Sequence, residues 1–240
     1  MDPGRAHSRA QRTRGPGVVT SSSAASLIET VIGEDRWATN RLAGLGAAER
    51  RIYAFILRRF AGGEVPAPLD VARLEEDGLA MRTLVDRDLV GLGPGNEIAL
   101  AYPFSAQPTR HRVRLADGRG YWAMCAIDAL GIPYLVHQAV EINAREPASD
   151  RTITVEIDPD VPRRRWTPAE AVVVAASSGS GCVSGCACPH INLFASKAAA
   201  ERYLAAPQLR GAILTVSEAA DVGQTLFGDL LERLAEIPES

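Results

Sequence analysis

Apolar residues recur at helical spacing between Ala47 and Ala61. Ile52, Ile56 and Phe60 form one row, Tyr53 and Leu57 lie beside it, and Arg50, Arg51, Arg58 and Arg59 fall largely on the other side. That period predicts an amphipathic helix, stopped by Gly62-Gly63. Pro66 and Pro68 lead into a short helix over Leu69 to Glu75, and Leu79 to Asp88 reads as a third. A turn of Gly91, Gly93, Pro94 and Gly95 precedes a strand from Glu97 to Tyr102. Before them, Leu27, Val31 and Ile32 predict helical turns within Leu27 to Ala43. Helices followed by a two-stranded wing give the order of a winged-helix module.

Beyond Pro108 the period changes to two. Arg110 to Leu115, His137 to Ala144 and Thr152 to Ile157 alternate as strands. Ala171 to Ala176 is an unbroken apolar run, expected to be a strand buried on both faces. Ser177 to Gly185 is a glycine- and serine-rich loop, followed by strand character over Ile191 to Phe194. Ser196 is placed to cap a helix over Lys197 to Leu204. Gly211 to Val216 is a last strand, and Ser217 to Leu234 is helical with a break expected at Gly223 or Gly228. Between the strands, Gly120 to Pro133 reads as one short apolar helix ending by Pro133.

The expected fold is therefore α+β. A disordered tail over 1–24 precedes a winged-helix-like N-terminal domain over 25–105. A second domain, over 106–240, is expected as a mixed or antiparallel β-sheet core with flanking helices. Composition agrees with a packed globular chain, at 46% hydrophobic and 23% charged. A net charge of −3 advertises neither nucleic acid nor an anionic membrane. The third helix balances Arg82 and Arg87 against Asp86 and Asp88, so no nucleic-acid partner is expected. No apolar run is long enough to span a membrane. The tail lacks the apolar core of a secretory signal, and a cytoplasmic location is expected.

Four cysteines change the picture. In a reducing compartment, clustered cysteines point to metal binding or catalysis more than to disulfides. Three of them stand together in Cys182-Val183-Ser184-Gly185-Cys186-Ala187-Cys188-Pro189-His190. Structural zinc usually takes two spaced pairs, and the spacing here is too tight, with no second pair. A disulfide from Cys182 to Cys186 or Cys188 is open on oxidation. Cys125 stands apart. A lone cysteine in an apolar helix is ordinarily packing, but Asp128 follows one turn later on the same face. A carboxyl in such surroundings is costly to ionise, and a raised pKa makes it a proton donor near neutrality. Two thiolates and a carboxylic acid can hold a soft metal and deliver a proton beside it.

Three segments carry a resemblance. They are Tyr121-Trp122-Ala123-Met124-Cys125-Ala126-Ile127-Asp128-Ala129-Leu130-Gly131-Ile132-Pro133, Cys188-Pro189-His190-Ile191-Asn192-Leu193-Phe194-Ala195-Ser196, and Val216-Ser217-Glu218-Ala219 with Gly223-Gln224. Together, and in their order and separation, they resemble the alkylmercury (organomercurial) lyase family over roughly residues 27–235. The resemblance implies protonolysis of a carbon–mercury bond to a hydrocarbon and Hg(II), in mercury detoxification. By motif, the family's catalytic trio falls on Cys125, Asp128 and Cys188, with Cys125 and Cys188 binding mercury. Cys182 and Cys186 have no catalytic counterpart and stand as auxiliary mercury ligands. His190 is a neighbouring hydrogen-bond partner or a structural histidine. Met124, Pro189 and Asn192 depart from the family pattern. No cofactor is implied; free thiols release the product, to a thiol carrier or a mercuric reductase. The alternative on the same residues is a non-catalytic thiol metal-binding protein or a metal-responsive winged-helix regulator.

Overall fold

The computed structural model describes residues 26, 41–74, 78–179 and 183–235. The tail over 1–24, most of the helical turns expected over 27–43, and Cys182 lie outside them.

Helix α1 (Ala47–Ala61) buries Ile52, Tyr53, Ile56, Leu57 and Phe60, the row set by its sequence period. Two short helices follow, α2 (Pro68–Ala72) and α3 (Leu79–Asp86). Strands β1 (Val90–Leu92), β2 (Ile98–Ala101), β3 (Phe104–Ser105), β4 (His111–Leu115) and β5 (Gly120–Ala123) lead into helix α4 (Ala126–Val136). Then come β6 (Val140–Arg145), β7 (Thr152–Ile157), β8 (Arg165–Thr167) and β9 (Val172–Ser177). Helix α5 (Val183–Cys186) and a 3-10 turn (Cys188–His190) precede β10 (Asn192–Phe194) and α6 (Lys197–Leu204). The chain continues through β11 (Arg210–Thr215), α7 (Val216–Phe227) and α8 (Leu230–Ala235).

Two antiparallel sheets result, so the fold is mixed α+β. The large one runs β1-β2-β3-β5-β4-β6-β7-β8, and the small one β10-β9-β11. Period-two patterning decides what faces inward. Val113, Leu115, Tyr121, Ala123, Ile142, Ala144, Val155 and Ile157 are buried, while Arg114, Glu141 and Glu156 stay on the outer face. Helix α1 seals one end of this sheet, with Phe60 stacked on Phe104 at 5.5 Å and the Tyr121 hydroxyl donating to the Ala61 carbonyl at 2.7 Å.

The segment from Gly120 to Pro133 differs from its sequence reading at both ends. Gly120 to Ala123 is strand β5, because it pairs with β4 from Arg114↔Gly120 to His111↔Ala123. The helix starts only after Cys125 and continues through Pro133 to Val136. Proline removes one helical hydrogen bond, and packing compensates: every residue from Ala126 to Leu135 is buried. A helix apolar all round is a core helix rather than a surface one.

Helix α7 packs across α4 at two glycines. A Cβ at Gly223 would lie 2.8 Å from the Gly131 nitrogen and the Ile127 carbonyl, and one at Gly131 would lie 2.8 Å from the Gly223 carbonyl. Helix α7 is fixed at its start by a reciprocal capping box between Thr215 and Glu218. It ends at Phe227, so Gly228 is where the expected break falls. Ser196 caps α6 as its position suggested, accepting from the Ala199 amide.

Candidate active site

Cys125 ends the extended chain at the N-cap of α4, where its Sγ accepts the Asp128 amide at 3.5 Å. A polar acceptor at this position satisfies an otherwise unpaired amide. The cap thus fixes the thiol and the acid against each other, on the first turn of a fully packed helix. The second half of the site comes from the small sheet. Helix α5 and the 3-10 turn carry the chain from the end of β9 to β10, and Cys188 opens that turn. The Ala126 amide donates to the Ile191 carbonyl at 2.9 Å, tying the α4 start to this turn.

Sγ of Cys125, a carboxylate oxygen of Asp128 and Sγ of Cys188 all lie within 4.8 Å of one another. The three residues are 3–5% exposed, so the cluster is closed from bulk water. Burial pushes the Asp128 carboxyl up to about 7, against the hydrogen bond to Cys125 and the charge of Arg41, which pull it down. Asp128 Oδ2 is buried without a hydrogen-bond partner. A carboxylate oxygen in that position is expensive to leave charged, which favours the acid form. Burial, the contact with Cys188 and the charge of Asp128 push the Cys125 thiol well above its usual value. Asp128 and Cys125 are therefore biased toward their protonated forms, and a soft metal ion that bonds to sulfur can displace the thiol proton.

Of the auxiliary cysteines, Cys186 is buried in α5, and its sulfur is not one of the three clustered ligand atoms. Its carbonyl accepts from the Ser178 amide at 2.9 Å. His190 turns to α6, with Nδ1 2.8 Å from the Tyr203 hydroxyl, which makes it a structural partner of that helix. Asn192 is buried and donates to the Pro189 carbonyl at 2.7 Å, bracing the turn that carries Cys188. Cavities of about 580 Å³, beside Arg114 and Glu156, and about 370 Å³, between α3 and β2, include no member of the cluster.

Several residues beside the cluster carried no sequence signal. Tyr102, just after β2, places its hydroxyl 3.6 Å from Cys188 Sγ. Arg41 stacks over the Tyr102 ring at 4.7 Å and pairs with Asp88 at 3.4 Å. Asp88 in turn accepts the Val183 amide at 2.8 Å at the start of α5. His111 is buried in β4 beside Asn192, and burial lowers its pKa to about 4, so it is neutral. Each looks ordinary in sequence, since only non-local pairing brings it to the site.

Comparison with known proteins gives one answer. A family model described as alkylmercury lyase matches residues 104–228, just over half of the chain, and spans all three clustered residues. The chain is 25% identical over 177 residues to an alkylmercury lyase of Staphylococcus epidermidis (strain ATCC 12228 / FDA PCI 1200), covering 71% of this chain and 79% of that one. Its fold is similar to the crystal structure of the mercury-bound form of MerB2. That match has a TM-score of 0.70 and 21% identity, and covers 86% of this chain and 99% of the other. With a matched region that includes both cluster-bearing turns, the chain belongs to the alkylmercury lyase family.

Proposed function

We propose that this carbon–mercury lyase cleaves its substrate between Cys125, Cys188 and Asp128, with the organomercurial as substrate and no resident metal or cofactor in the reaction. The observation that carries the proposal is the closed cluster of two thiols and one carboxyl held within 4.8 Å. Mercury prefers thiolate to oxygen or nitrogen. The Cys125 sulfur forms a bond to mercury, and its thiol proton leaves with the exchangeable ligand as that ligand's conjugate acid, while Asp128 keeps its own proton. The Cys188 sulfur adds to the same mercury, raising electron density along the carbon–mercury bond. That bond breaks with its electron pair on carbon, which takes the proton from Asp128, and the Cys188 thiol proton replaces it on the carboxylate. The products are a hydrocarbon and Hg(II) held by two sulfurs. An external thiol, from a small carrier or an accepting reductase, then exchanges the metal away.

The N-terminal region supports the site without reading nucleic acid. We read 25–105 as a winged-helix-like unit, from the order α1, α2, α3 and the β1–β2 hairpin. One of its ion pairs turns inward to the site: Arg41 and Asp88 pair, and Asp88 caps α5. The hairpin also joins the large sheet through β3, so this unit and the catalytic strands share one hydrogen-bonded layer.

The test is benzene release from phenylmercury in excess thiol. The wild-type protein turns over. Cys125→Ser and Cys188→Ser lose cleavage, and Asp128→Asn retains mercury but cleaves roughly 10²–10⁴-fold more slowly, the range for loss of a positioned proton donor. Absence of any hydrocarbon from the wild-type protein overturns the assignment. Full activity in Cys188→Ser transfers the second-thiol role to another cysteine.

A further inference from the structure

We propose that Tyr102 is a positioning residue of the reaction, holding the Cys188 sulfur toward Cys125 and Asp128 through the hydrogen bond that its hydroxyl accepts from the thiol. The inference rests on the catalytic reading of Cys188 given above. Cys188 Sγ lies 3.6 Å from the Tyr102 hydroxyl, and both residues are 3% exposed. Among the described residues that sulfur is the hydroxyl's hydrogen-bond partner, so a phenylalanine would fill the space equally well and only the S–H···O contact accounts for the oxygen. A buried hydroxyl without a partner is costly.

The ring is fixed independently of Cys188. Its backbone amide donates to the Leu89 carbonyl at 3.3 Å, and its carbonyl accepts the Tyr53 hydroxyl at 2.9 Å. Arg41 covers its face at 4.7 Å, and Arg41 is itself held by the carbonyl and carboxylate of Asp88. Asp88 then reaches the start of α5 through the Val183 amide and the Ser184 hydroxyl, at 2.8 and 3.4 Å. Tyr102 and the cysteine-bearing segment thus hang from one ion pair, which sets the direction of the hydroxyl before substrate arrives.

A phenolic hydroxyl can accept from a thiol or donate to a thiolate. It therefore serves Cys188 in both states. While the thiol is intact the S–H points to Tyr102; once mercury has replaced the proton, the same oxygen donates to the sulfur. Each sulfur then has one neutral donor, the Asp128 amide for Cys125 and the Tyr102 hydroxyl for Cys188.

Tyr102→Phe keeps the ring, its packing and the Arg41 contact and removes only the oxygen. Two readouts are taken on the full chain against wild type. In the phenylmercury assay, kcat falls about 10- to 100-fold with KM within about twofold, because the interaction serves the committed second thiol rather than first capture. In Raman spectra without mercury, the S–H stretching band of Cys188, assigned by difference from Cys188→Ser, moves to the higher frequency of an unbonded thiol. A wild-type kcat in Tyr102→Phe overturns the inference, as does an unmoved S–H band. A loss of activity with KM raised in proportion also overturns it, since that marks a damaged binding site. Failure of the catalytic reading is separate: wild-type protein would then release no benzene.

Discussion

Asp128 shows how one carboxyl links chemistry to stability. Its pKa is about 7 in the folded chain against an ordinary 3.8, because it is buried. Between those values the unfolded chain is ionised while the folded one keeps the proton. Stability therefore falls as pH rises from about 4 through 7, and stays lowered above that. Asp128→Asn removes the titration. Calorimetric scans are expected to show a higher melting temperature for Asp128→Asn than for wild type at pH 8, with the difference shrinking toward pH 4. A difference independent of pH would mean that Asp128 is not the buried acid described. The spacing of Cys125 and Asp128 was legible in the sequence, since a cysteine and an acid one turn apart share a face. The choice of Cys188 among three late cysteines was not; it came from family resemblance, and the tertiary fold is what sets its sulfur beside the other two ligand atoms. Tyr102 and Arg41 gave no signal at all, because each reaches the site across a non-local contact.

At the scale of elements, the site depends on where α4 starts and how deeply it is seated. The apolar run was read as a helix from Gly120, yet β4 claims Gly120 to Ala123 as a paired strand. Periodicity could not separate the two, since short apolar runs fit either. The consequence is chemical: Cys125 moves from the helix body to its cap. Serine is a strong N-cap residue, so Cys125→Ser is expected to keep its melting temperature within a few degrees while losing cleavage. Collapse of that variant would show that the cap geometry is wrong. The α4–α7 crossing is equally specific. Gly223→Ala places a methyl 2.8 Å from backbone atoms of α4. Such overpacking costs about 1–3 kcal/mol, measurable as a lower urea midpoint. A midpoint equal to wild type would mean that the helices part without cost.

Across the whole molecule, the cluster joins two sheets. Cys125 leaves the large sheet at the end of β5, and Cys188 belongs to the turn between β9 and β10 of the small one. Mercury bound by both sulfurs would be a cross-link between distant chain segments. Anything that binds only the folded state stabilises it, by about 2.7 kcal/mol at a hundred times its dissociation constant. Loading with Hg(II) is expected to raise the melting temperature of wild type. Cys188→Ser should lose most of that increment, and removal of the metal by excess thiol should reverse it. An equal rise in both proteins would place the mercury on a single sulfur or elsewhere.

The sequence by itself determined the amphipathic helix α1, the alternating strands, the capped helix α6 and the pairing of a thiol with an acid, because these follow from local spacing. Among the described residues, no helix is long and apolar enough to cross a membrane, in keeping with the apolar run lengths. Only the tertiary structure decided that, among the described residues, Cys188 rather than Cys186 lies beside Cys125, where the Cys125 helix begins, and that Tyr102, Arg41 and Asp88 stand behind Cys188. Those outcomes depend on strand pairing and helix crossing between residues far apart in the chain, and no local period encodes which of several equal partners will be brought near.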